Sequence, residues 1–303
     1  MKFVVTGGAG FIGSNIVKLL VSKGHSVDVI DNLHTGKKEN LDTVFDDINF
    51  HQIDIRNKEE LHRIMKDCDG IFHQAALTVV PESFEIPQEY FQVNVEGTKN
   101  IFEIAKNEKL RVVYASSSSI YGNVNKTPIT ESFEKNPINP YGKTKLECEF
   151  LAQKFASKGS KIIGLRYFNV FGIGQTGTYA GVITKFMDSL SKEESPTIYG
   201  DGSQVRDFVY VNDVANANFL AMMSKIEFGF FNVGTGKVVS IKELAELMIK
   251  LYKLELTPKY SKALPGDIKQ SQADTKQMKD LIGWKSETEL EGGLKNMITF
   301  CTN

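Results

Sequence analysis

Apolar residues in the first half of the chain form short β-branched runs, separated by segments with helical spacing. Such runs predict strands, and apolar residues recurring at intervals of three and four predict helices. The predicted strands are residues 2–6, 26–32, 49–53, 70–76, 111–117 and 161–172, and helices are predicted at 11–24, 57–67 and 94–107. Strands that alternate with helix-length crossovers are typical of an α/β fold with a parallel, doubly wound sheet.

The pattern changes in the second half of the chain, which indicates a second, smaller domain. Residues 174–207 contain loop-like stretches around one helical segment, whereas the strand and helix at 208–223 look like a return to the first sheet. A short strand, a helix, a polar loop and two C-terminal helices follow. We therefore expect residues 1–173 with 208–233 to form the parallel-sheet domain, and residues 174–207 with 234–303 to form a smaller substrate-binding domain.

Composition narrows the class of protein. The chain of 303 residues has a formal net charge of -1, so no basic bias points to nucleic acid. Its three cysteines are widely spaced, which favours a reducing compartment over a disulfide framework. No basic-then-apolar leader precedes the first strand and no apolar run approaches roughly 20 residues, so we expect a cytoplasmic protein without a membrane span. The histidines lack metal-ligand spacing, and no metal site is expected.

A glycine-rich turn between the first strand and the first helix carries the first chemical signal. Gly7, Gly10 and Gly13 have the spacing G-x-x-G-x-x-G, and glycine at these positions lets backbone N–H groups approach a pyrophosphate at the helix N-terminus. Asp31 ends the next strand, 18 residues after Gly13, where an acceptor for ribose hydroxyls is expected. A carboxylate repels a 2′-phosphate, so the pattern favours NAD over NADP as the cofactor.

Tyr141 and Lys145 stand four residues apart, directly after Pro140, in a segment typical of a helix start. Residues with this spacing lie on one helix face, so both side chains can project into one pocket. An ammonium group lowers the pKa of a neighbouring phenol, which would make Tyr141 a proton acceptor. The serine run at 116–119 ends the strand at 111–117 and could place a hydroxyl between Tyr141 and a substrate.

Motifs spread over nearly the whole chain point to a family. They are, in order, GGAGFIG, HQAA, SSSSIYG, YGKTK, RYFNVFG, IYGDGSQVRDFVYV and PGDIKQSQAD. The sequence resembles extended short-chain dehydrogenases/reductases of the NAD-dependent UDP-sugar 4-epimerase type. This resemblance implies a Rossmann domain with tightly bound NAD, a UDP-sugar substrate and a homodimer.

The resemblance also implies a catalytic cycle. Tyr141 takes the proton of the sugar 4-hydroxyl, Lys145 holds the nicotinamide ribose and lowers the pKa of Tyr141, and Ser117 relays or shares the proton. Ser118 is an alternative to Ser117, because the alignment of four consecutive serines with the family's catalytic serine is ambiguous. Hydride passes from C4 to NAD, the 4-keto sugar turns over, and the hydride returns to the opposite face.

Cofactor and substrate contacts are implied position by position. Asp54 could accept from the adenine amino group, Asn169 and Arg206 match positions that hold the diphosphate, and residues 197–199 with Val182 match the segment around the uracil. The cofactor-binding residues are Gly7, Gly10, Phe11, Ile12, Gly13, Asp31, Asn32, Thr35, Gly36, Asp54, Ile55, Gln74, Ala75, Ala76, Thr78, Asn94, Tyr141, Lys145 and Phe168. The substrate-binding residues are Ser117, Asn169, Val182, Thr197, Ile198, Tyr199, Arg206, Asp267 and Ser271.

Two positions depart from the family pattern. Leu264 stands where the family usually has an arginine, so one diphosphate contact is missing or is supplied by Lys262 or Lys269, which would be poorer, monodentate substitutes. Ser271 stands where enzymes restricted to glucose and galactose carry a bulky tyrosine. The smaller side chain leaves room for a 2-acetamido group, so we expect UDP-N-acetylhexosamines to be accepted.

Other activities remain as alternatives. A dehydratase of the superfamily typically carries an Asp-Glu pair within the segment that is 116–119 here, and a decarboxylase usually carries a glutamate in the region of Ser119. A dehydrogenase that releases NADH is a third alternative. A non-enzymatic dinucleotide sensor is a fourth, although such proteins lose the tyrosine or the lysine.

The family generally pairs two helices per subunit in a dimer interface. Here those helices would be 94–107 and 141–157. The second offers Leu146, Phe150, Leu151 and Phe155 for this contact, although core packing explains the same residues.

Overall fold

The main sheet has seven parallel strands, which in spatial order cover residues 228–233, 161–167, 111–117, 70–73, 2–6, 26–30 and 48–51. A computed structural model describes residues 1–175, 181–263 and 268–302. The strands are β1 (Lys2–Thr6), β2 (Ser26–Ile30), β3 (Ile48–His51), β4 (Gly70–His73), β5 (Arg111–Ser117), β6 (Lys161–Tyr167), β7 (Asn169–Phe171), β8 (Thr197–Tyr199), β9 (Val205–Arg206), β10 (Phe208–Tyr210), β11 (Phe228–Val233), β12 (Val239–Ser240), β13 (Lys259–Ser261) and β14 (Gln270–Ser271). The predicted parallel, doubly wound α/β fold is confirmed.

Helices pack on both faces of this sheet and in the C-terminal part of the chain. They are α1 (Phe11–Ser22), α2 (Lys58–Met65), α3 (Val80–Glu85), α4 (Pro87–Tyr90), α5 (Thr98–Asn107), α6 (Pro140–Ala156), α7 (Val182–Leu190), α8 (Val211–Met223), α9 (Ile241–Leu251) and α10 (Leu290–Thr302). Short 3₁₀ segments cover Lys38–Asp47 and Ser118–Tyr121, and π-helical segments cover Phe91–Gly97 and Met278–Ile282. Asn139 caps α6 by accepting a hydrogen bond from the Gly142 N–H at 2.7 Å, which sets the start of the helix at Pro140, one residue before Tyr141.

Neighbouring residues of β1 belong to two different hydrophobic cores, one on each face of the sheet. Phe3 and Val5 of β1 lie in a core with residues of α1 and α8, while Val4 between them lies in a second core with residues of α2, α5 and α6. Successive strand side chains point to opposite faces, so both faces of the sheet are covered by helices. This double burial explains why the strands read as continuous apolar runs, each fully buried side chain contributing about 1.5–3 kcal/mol.

Several predicted elements differ from the structure. Residues 161–172 form two strands rather than one, because the chain leaves the main sheet at Phe168, whose N–H donates to the Val233 carbonyl at the end of β11. The following strand, β7, pairs with β10 in a separate two-stranded sheet. The strand predicted at 70–76 ends at His73, and the first of the two predicted C-terminal helices is a five-residue π-helical segment.

A third core joins β7, β10, α7, α9 and α10. Phe171 and Phe208 belong to it, although the sequence-based division places both in the first domain. The two-domain division therefore stays a prediction. Within the described ranges, no helix is both long and apolar enough to cross a membrane.

Candidate active site

The glycine turn brings the end of β1 close to the start of α1. Gly7 has a φ of 67°, and a Cβ there would lie 2.6 Å from the Ala75 backbone nitrogen. A Cβ on Gly13 would lie 2.0 Å from the Gly7 carbonyl oxygen, so the helix can approach the turn only through glycine. Gly10 caps α1 without a side-chain hydrogen bond, and no acidic residue lies in the first turn. The N–H groups at this helix end can therefore bind an anion, and the turn fits the pyrophosphate of a dinucleotide.

Asp31 lies at the end of β2, where its carboxylate faces the glycine turn. It accepts hydrogen bonds from the Ala9 N–H at 3.0 Å and the Leu33 N–H at 2.8 Å. A Cβ on Gly36 would lie 2.9 Å from either carboxylate oxygen. Burial raises the pKa of Asp31, and the two backbone hydrogen bonds oppose that shift. Each oxygen keeps a second lone pair, which leaves room for the predicted contacts with ribose hydroxyls.

The Asp54 carboxylate already accepts four hydrogen bonds from within the protein. Arg56 binds it through Nε at 2.9 Å, Nη2 at 2.8 Å and the backbone N–H at 2.9 Å, and Asn32 donates at 3.0 Å. These bonds, led by Arg56, lower the pKa of Asp54 to about 2. A carboxylate offers about four acceptor positions, so an adenine amino group would have to displace one of these partners. The Ile55 side chain packs against Gly97 in the second core.

Residues after β4 line the same edge of the sheet. The Gln74 side chain joins a hydrogen-bonded cluster with the Tyr167 hydroxyl at 3.1 Å and the Asn218 carbonyl oxygen at 3.2 Å. Asn94 is buried, and its side-chain amide exchanges two hydrogen bonds with the Leu77 backbone, so it shapes the loop. Among the other implied cofactor contacts, Phe168 is buried, Phe11, Ile12, Ala75 and Ala76 are half-buried, and Thr35 and Thr78 are exposed.

Ser117, Tyr141 and Lys145 meet where β5 ends against the start of α6. The Tyr141 phenol lies beside the Ser117 side chain, close enough for the serine to affect its pKa, and the Ser117 hydroxyl donates to the Ser119 hydroxyl at 3.0 Å. Lys145 donates from Nζ to the Ala115 carbonyl at 2.8 Å, with Nζ 5.9 Å from the centre of the Tyr141 ring. Two elements distant in sequence thus bring together the three predicted catalytic groups.

The pKa of Tyr141 moves in the direction opposite to the prediction. Burial raises the pKa of Tyr141 to about 12, and the neighbouring Ser117 side chain opposes this shift. Burial also lowers the pKa of Lys145. Desolvation disfavours the charged form of each group, and the Lys145 ammonium is turned to the Ala115 carbonyl. The spacing of Tyr141 and Lys145 places them together, but the desolvation of the pocket decides their pKa.

The two residues implied for the diphosphate, Asn169 and Arg206, are both linked to Asp207. Asn169 donates to the Asp207 carbonyl from its side chain at 3.2 Å and from its backbone at 3.1 Å. Arg206 precedes Asp207, and β14 pairs in parallel with β9 so that Ser271 lies opposite Arg206. The fully buried Asp207 carboxylate accepts four hydrogen bonds from Thr235, Gly236 and Ala273. It therefore fixes Arg206, Asn169 and the strand of Ser271 relative to one another.

The segment implied for the uracil lies on β8 and α7. Ile198 is fully buried in the third core, whereas Tyr199 is 39% exposed and Thr197 is exposed. Val182 begins α7 and packs at the edge of that core. The Ile198 side chain therefore serves packing, and a base could meet only its backbone. Asp267 and Leu264 lie outside the described residues.

Two lysines that the sequence did not single out share a cavity with Arg206. This cavity has a volume of about 360 Å³ and is lined by Arg206, Lys237 and Lys285 among other residues. Lys237 pairs with Glu289 at 2.6 Å. The predicted stand-ins Lys262 and Lys269 are exposed and do not line it. No motif marks Lys237 or Lys285, because only the fold brings their segments to β9.

The fold and the site together define a dinucleotide-binding α/β enzyme with a Ser-Tyr-Lys site. Residues 3–234 match the model of the NAD dependent epimerase/dehydratase family. The chain belongs to this family. Membership confirms the resemblance to extended short-chain dehydrogenases/reductases and the prediction of an NAD-dependent enzyme.

Similar proteins cover almost the whole chain. A putative UDP-glucose 4-epimerase of Methanocaldococcus jannaschii is 38% identical over 99% of this chain and 98% of its own. A UDP-N-acetyl-alpha-D-glucosaminuronate decarboxylase of Bacillus cytotoxicus is 32% identical over 98% of this chain and 96% of its own. The solved structure of a UDP-N-acetylglucosamine 4-epimerase from Methanobrevibacter ruminantium M1, in complex with UDP-N-acetylmuramic acid, is 39% identical, with a TM-score of 0.95, over 99% of this chain and 98% of that one.

Proposed function

We propose that the protein is an NAD-dependent 4-epimerase of UDP-hexoses that works through a transient 4-keto sugar. The observation that carries the proposal is the meeting of Ser117, Tyr141 and Lys145 at the end of β5. This is the edge of the sheet that also carries the glycine turn and Asp31. Bound NAD supplies a reversible hydride acceptor there. The glycine turn would hold its pyrophosphate, and Asp31 would hold its adenosine ribose.

Tyr141 exchanges a proton with the sugar 4-hydroxyl. In the forward half, the phenolate oxygen takes the hydroxyl proton while C4 loses its hydrogen as hydride to the acceptor that NAD would supply, which leaves a carbonyl at C4. In the return half, the hydride would come back to the other face of C4 while the phenol returns the proton to the oxygen. Ser117 would stabilise the phenolate by donating its hydroxyl proton to Tyr141 instead of to Ser119. Burial opposes this charged form, and the ammonium of Lys145 would favour it once turned from the Ala115 carbonyl towards the phenol.

Replacing the phenol tests the assignment of the base. Tyr141→Phe removes only the hydroxyl, so we expect NAD to remain bound after purification while kcat falls by about 10²–10⁴-fold, the usual contribution of a general acid–base group. Interconversion of UDP-glucose and UDP-galactose, followed by NMR, measures this. A variant with unchanged kcat would show that another group moves the proton.

We further propose that the enzyme accepts UDP-N-acetylhexosamines. Ser271 is buried opposite Arg206, and its short side chain occupies less volume there than a tyrosine would. The similarity to both a UDP-glucose and a UDP-N-acetylglucosamine 4-epimerase supports a sugar site that tolerates a 2-acetamido group.

The size of residue 271 should decide between the two sugars. We expect Ser271→Tyr to lower kcat/KM for UDP-N-acetylglucosamine by at least about tenfold relative to UDP-glucose, because a steric clash is selective for the larger substituent. Ser271→Ala is the matched control and should keep the wild-type ratio. Turnover of UDP-glucose without any turnover of UDP-N-acetylglucosamine by the wild type would refute this sugar preference.

Decarboxylation is the second candidate, because a decarboxylase is among the similar proteins. Ser119 stands where such enzymes usually carry a glutamate, and in this chain Ser119 accepts from Ser117 at 3.0 Å. Incubation with UDP-glucuronate separates the two activities, since decarboxylation gives a pentose and carbon dioxide. Accumulation of free NADH in this assay would instead indicate a simple dehydrogenase.

We also propose that two copies form a dimer through α6. Phe150 of this helix is 51% exposed, and Phe84, Ile86 and Phe91 on nearby elements are exposed as well. The other apolar residues considered for the contact, which pack inward, are Leu146, Leu151 and Phe155.

A further inference from the structure

A buried ion pair lies directly behind the proposed catalytic residues. Arg166 of β6 binds Glu149 of α6 with two parallel hydrogen bonds, from Nε to Oε1 at 2.8 Å and from Nη2 to Oε2 at 2.7 Å. The side chains are only 2% and 3% exposed. An isolated charge at this depth would be costly, but a bidentate pair satisfies both groups and holds them in one geometry.

Glu149 also reaches the strand that carries the catalytic serine. The Ser116 hydroxyl donates to Glu149 Oε1 at 2.7 Å, and Ser116 immediately precedes Ser117. On α6, Glu149 follows Tyr141 and Lys145 at intervals of four residues, so all three lie along one helix face. Glu149 therefore connects the helix of Tyr141 to the strand end of Ser117.

Two further kinds of contact, hydrogen bonds and aromatic rings, also hold the Arg166 guanidinium in place. It donates from Nη1 to the Tyr121 hydroxyl at 2.7 Å and to the Glu131 carbonyl at 3.0 Å. Its guanidinium also lies over the Tyr121 and Phe230 rings, at 5.3 and 5.2 Å from their centres. The planar guanidinium thus has little freedom to turn, and it fixes the carboxylate that it binds.

We propose that Glu149, locked by Arg166, is a positioning residue that sets Ser117 against Tyr141 through its hydrogen bond with Ser116. The proposal deepens the proposed function and rests on it. Ser117 and Tyr141 belong to different elements joined by a long connection, so their mutual distance depends on contacts between β5 and α6. Small errors in the placement of reacting groups have large effects on rate.

Ser116→Ala tests the proposal with the smallest change to the fold. It removes one hydrogen bond and leaves the Arg166–Glu149 pair intact, so we expect kcat to fall about tenfold or more while KM, NAD content and melting temperature stay near wild type. Ser116→Thr keeps a hydroxyl and should restore most of kcat. Ser160→Ala is the matched control, because Ser160 is also a buried serine, lies at the opposite end of β6 from Arg166 and has a hydroxyl without a hydrogen-bond partner among the described residues, and it should leave kcat unchanged.

A double-mutant cycle tests whether Glu149 acts through Ser116. Replacing Glu149→Leu and Arg166→Met together avoids a lone buried charge, and this pair should lower kcat as Ser116→Ala does. Adding Ser116→Ala should then cause no further loss. Additive losses, or a kcat unaffected by Ser116→Ala, would overturn the proposal.

A structural readout keeps the proposal separate from the proposed function. The distance between Ser117 Oγ and Tyr141 Oη in a crystal structure of Ser116→Ala does not depend on the reaction catalysed. We expect this distance to be longer than in the wild type, and an unchanged distance would overturn the positioning role. A wild type that epimerises no UDP-sugar would refute the proposed function while this distance still tests the positioning role.

Discussion

His73 is an imidazole buried between two threonine hydroxyls at the end of β4. Its Nδ1 lies 2.7 Å from the Thr6 hydroxyl and its Nε2 lies 2.8 Å from the Thr98 hydroxyl. Complete burial, with a smaller effect of the Lys145 ammonium, lowers the pKa of His73 to about 3. Folding therefore keeps this ring neutral. Its two hydrogen bonds connect β1, which leads into the glycine turn, to α5.

The stability of the protein should fall in acid because of this residue. A histidine whose pKa is lowered by folding contributes stability above its unfolded pKa of about 6.5, and the contribution is lost as the pH falls towards the folded value. From about pH 7.5 to about pH 5, His73 alone should remove about 2 kcal/mol from the free energy of unfolding. Urea unfolding at the two pH values measures this loss.

His73→Gln keeps hydrogen-bonding capacity without a proton equilibrium, so its loss over the same range should be smaller by about that amount. His62→Gln is the control, since the His62 side chain is 51% exposed, and it should behave like the wild type. An equal loss in wild type and His73→Gln would assign the acid sensitivity to other groups.

Among the elements, α10 packs against β7 and β10 through Gly293, one of two adjacent glycines. A Cβ on Gly293 would lie 2.7 Å from the Phe171 ring and 2.9 Å from the Tyr210 ring, whereas a Cβ on Gly292 would meet nothing within 4 Å. The helix can therefore approach β7 and β10 only where Gly293 faces them. Gly292 is exposed, and no close contact in the described part of the chain requires a glycine at this position.

The two glycines should respond oppositely to alanine. Gly292→Ala should raise the free energy of unfolding by up to about 1 kcal/mol, because alanine is the better helix former. Gly293→Ala should lower it by about 1–3 kcal/mol, because the added methyl group overpacks the third core. Thermal or urea unfolding of both variants compares them directly, and a stabilised Gly293→Ala would show that α10 can shift freely.

At the scale of the whole molecule, the exposed apolar side chains near α6 suggest a contact between copies. Phe150→Glu should shift the protein from dimer to monomer, since a charge would be buried in the contact. Sedimentation velocity at several protein concentrations measures the shift. Phe300→Glu, on the 62% exposed Phe300 of α10, is the control and should not change the mass. A wild type that sediments as a monomer would contradict the proposed dimer.

Features that depend on residues close in sequence could be predicted without the structure. The glycine turn, the acid at the end of β2 and the Tyr141–Lys145 spacing all arise within one strand–turn–helix unit or one helical turn. Their geometry follows from backbone rules that act over a few residues. The parallel sheet could be predicted in the same way, because alternating apolar runs and helical segments admit few topologies.

Other features were decided only when distant segments packed together. The four bonds to Asp54, the pKa of Tyr141 near 12 and the separation of β6 from β7 all depend on burial and on partners from other elements. The same holds for Glu149, whose carboxylate joins three elements. The order of the amino acids establishes which chemical groups are present and how they are spaced locally. Folding establishes which of them are desolvated and which partners they meet, because both depend on contacts between residues far apart along the chain.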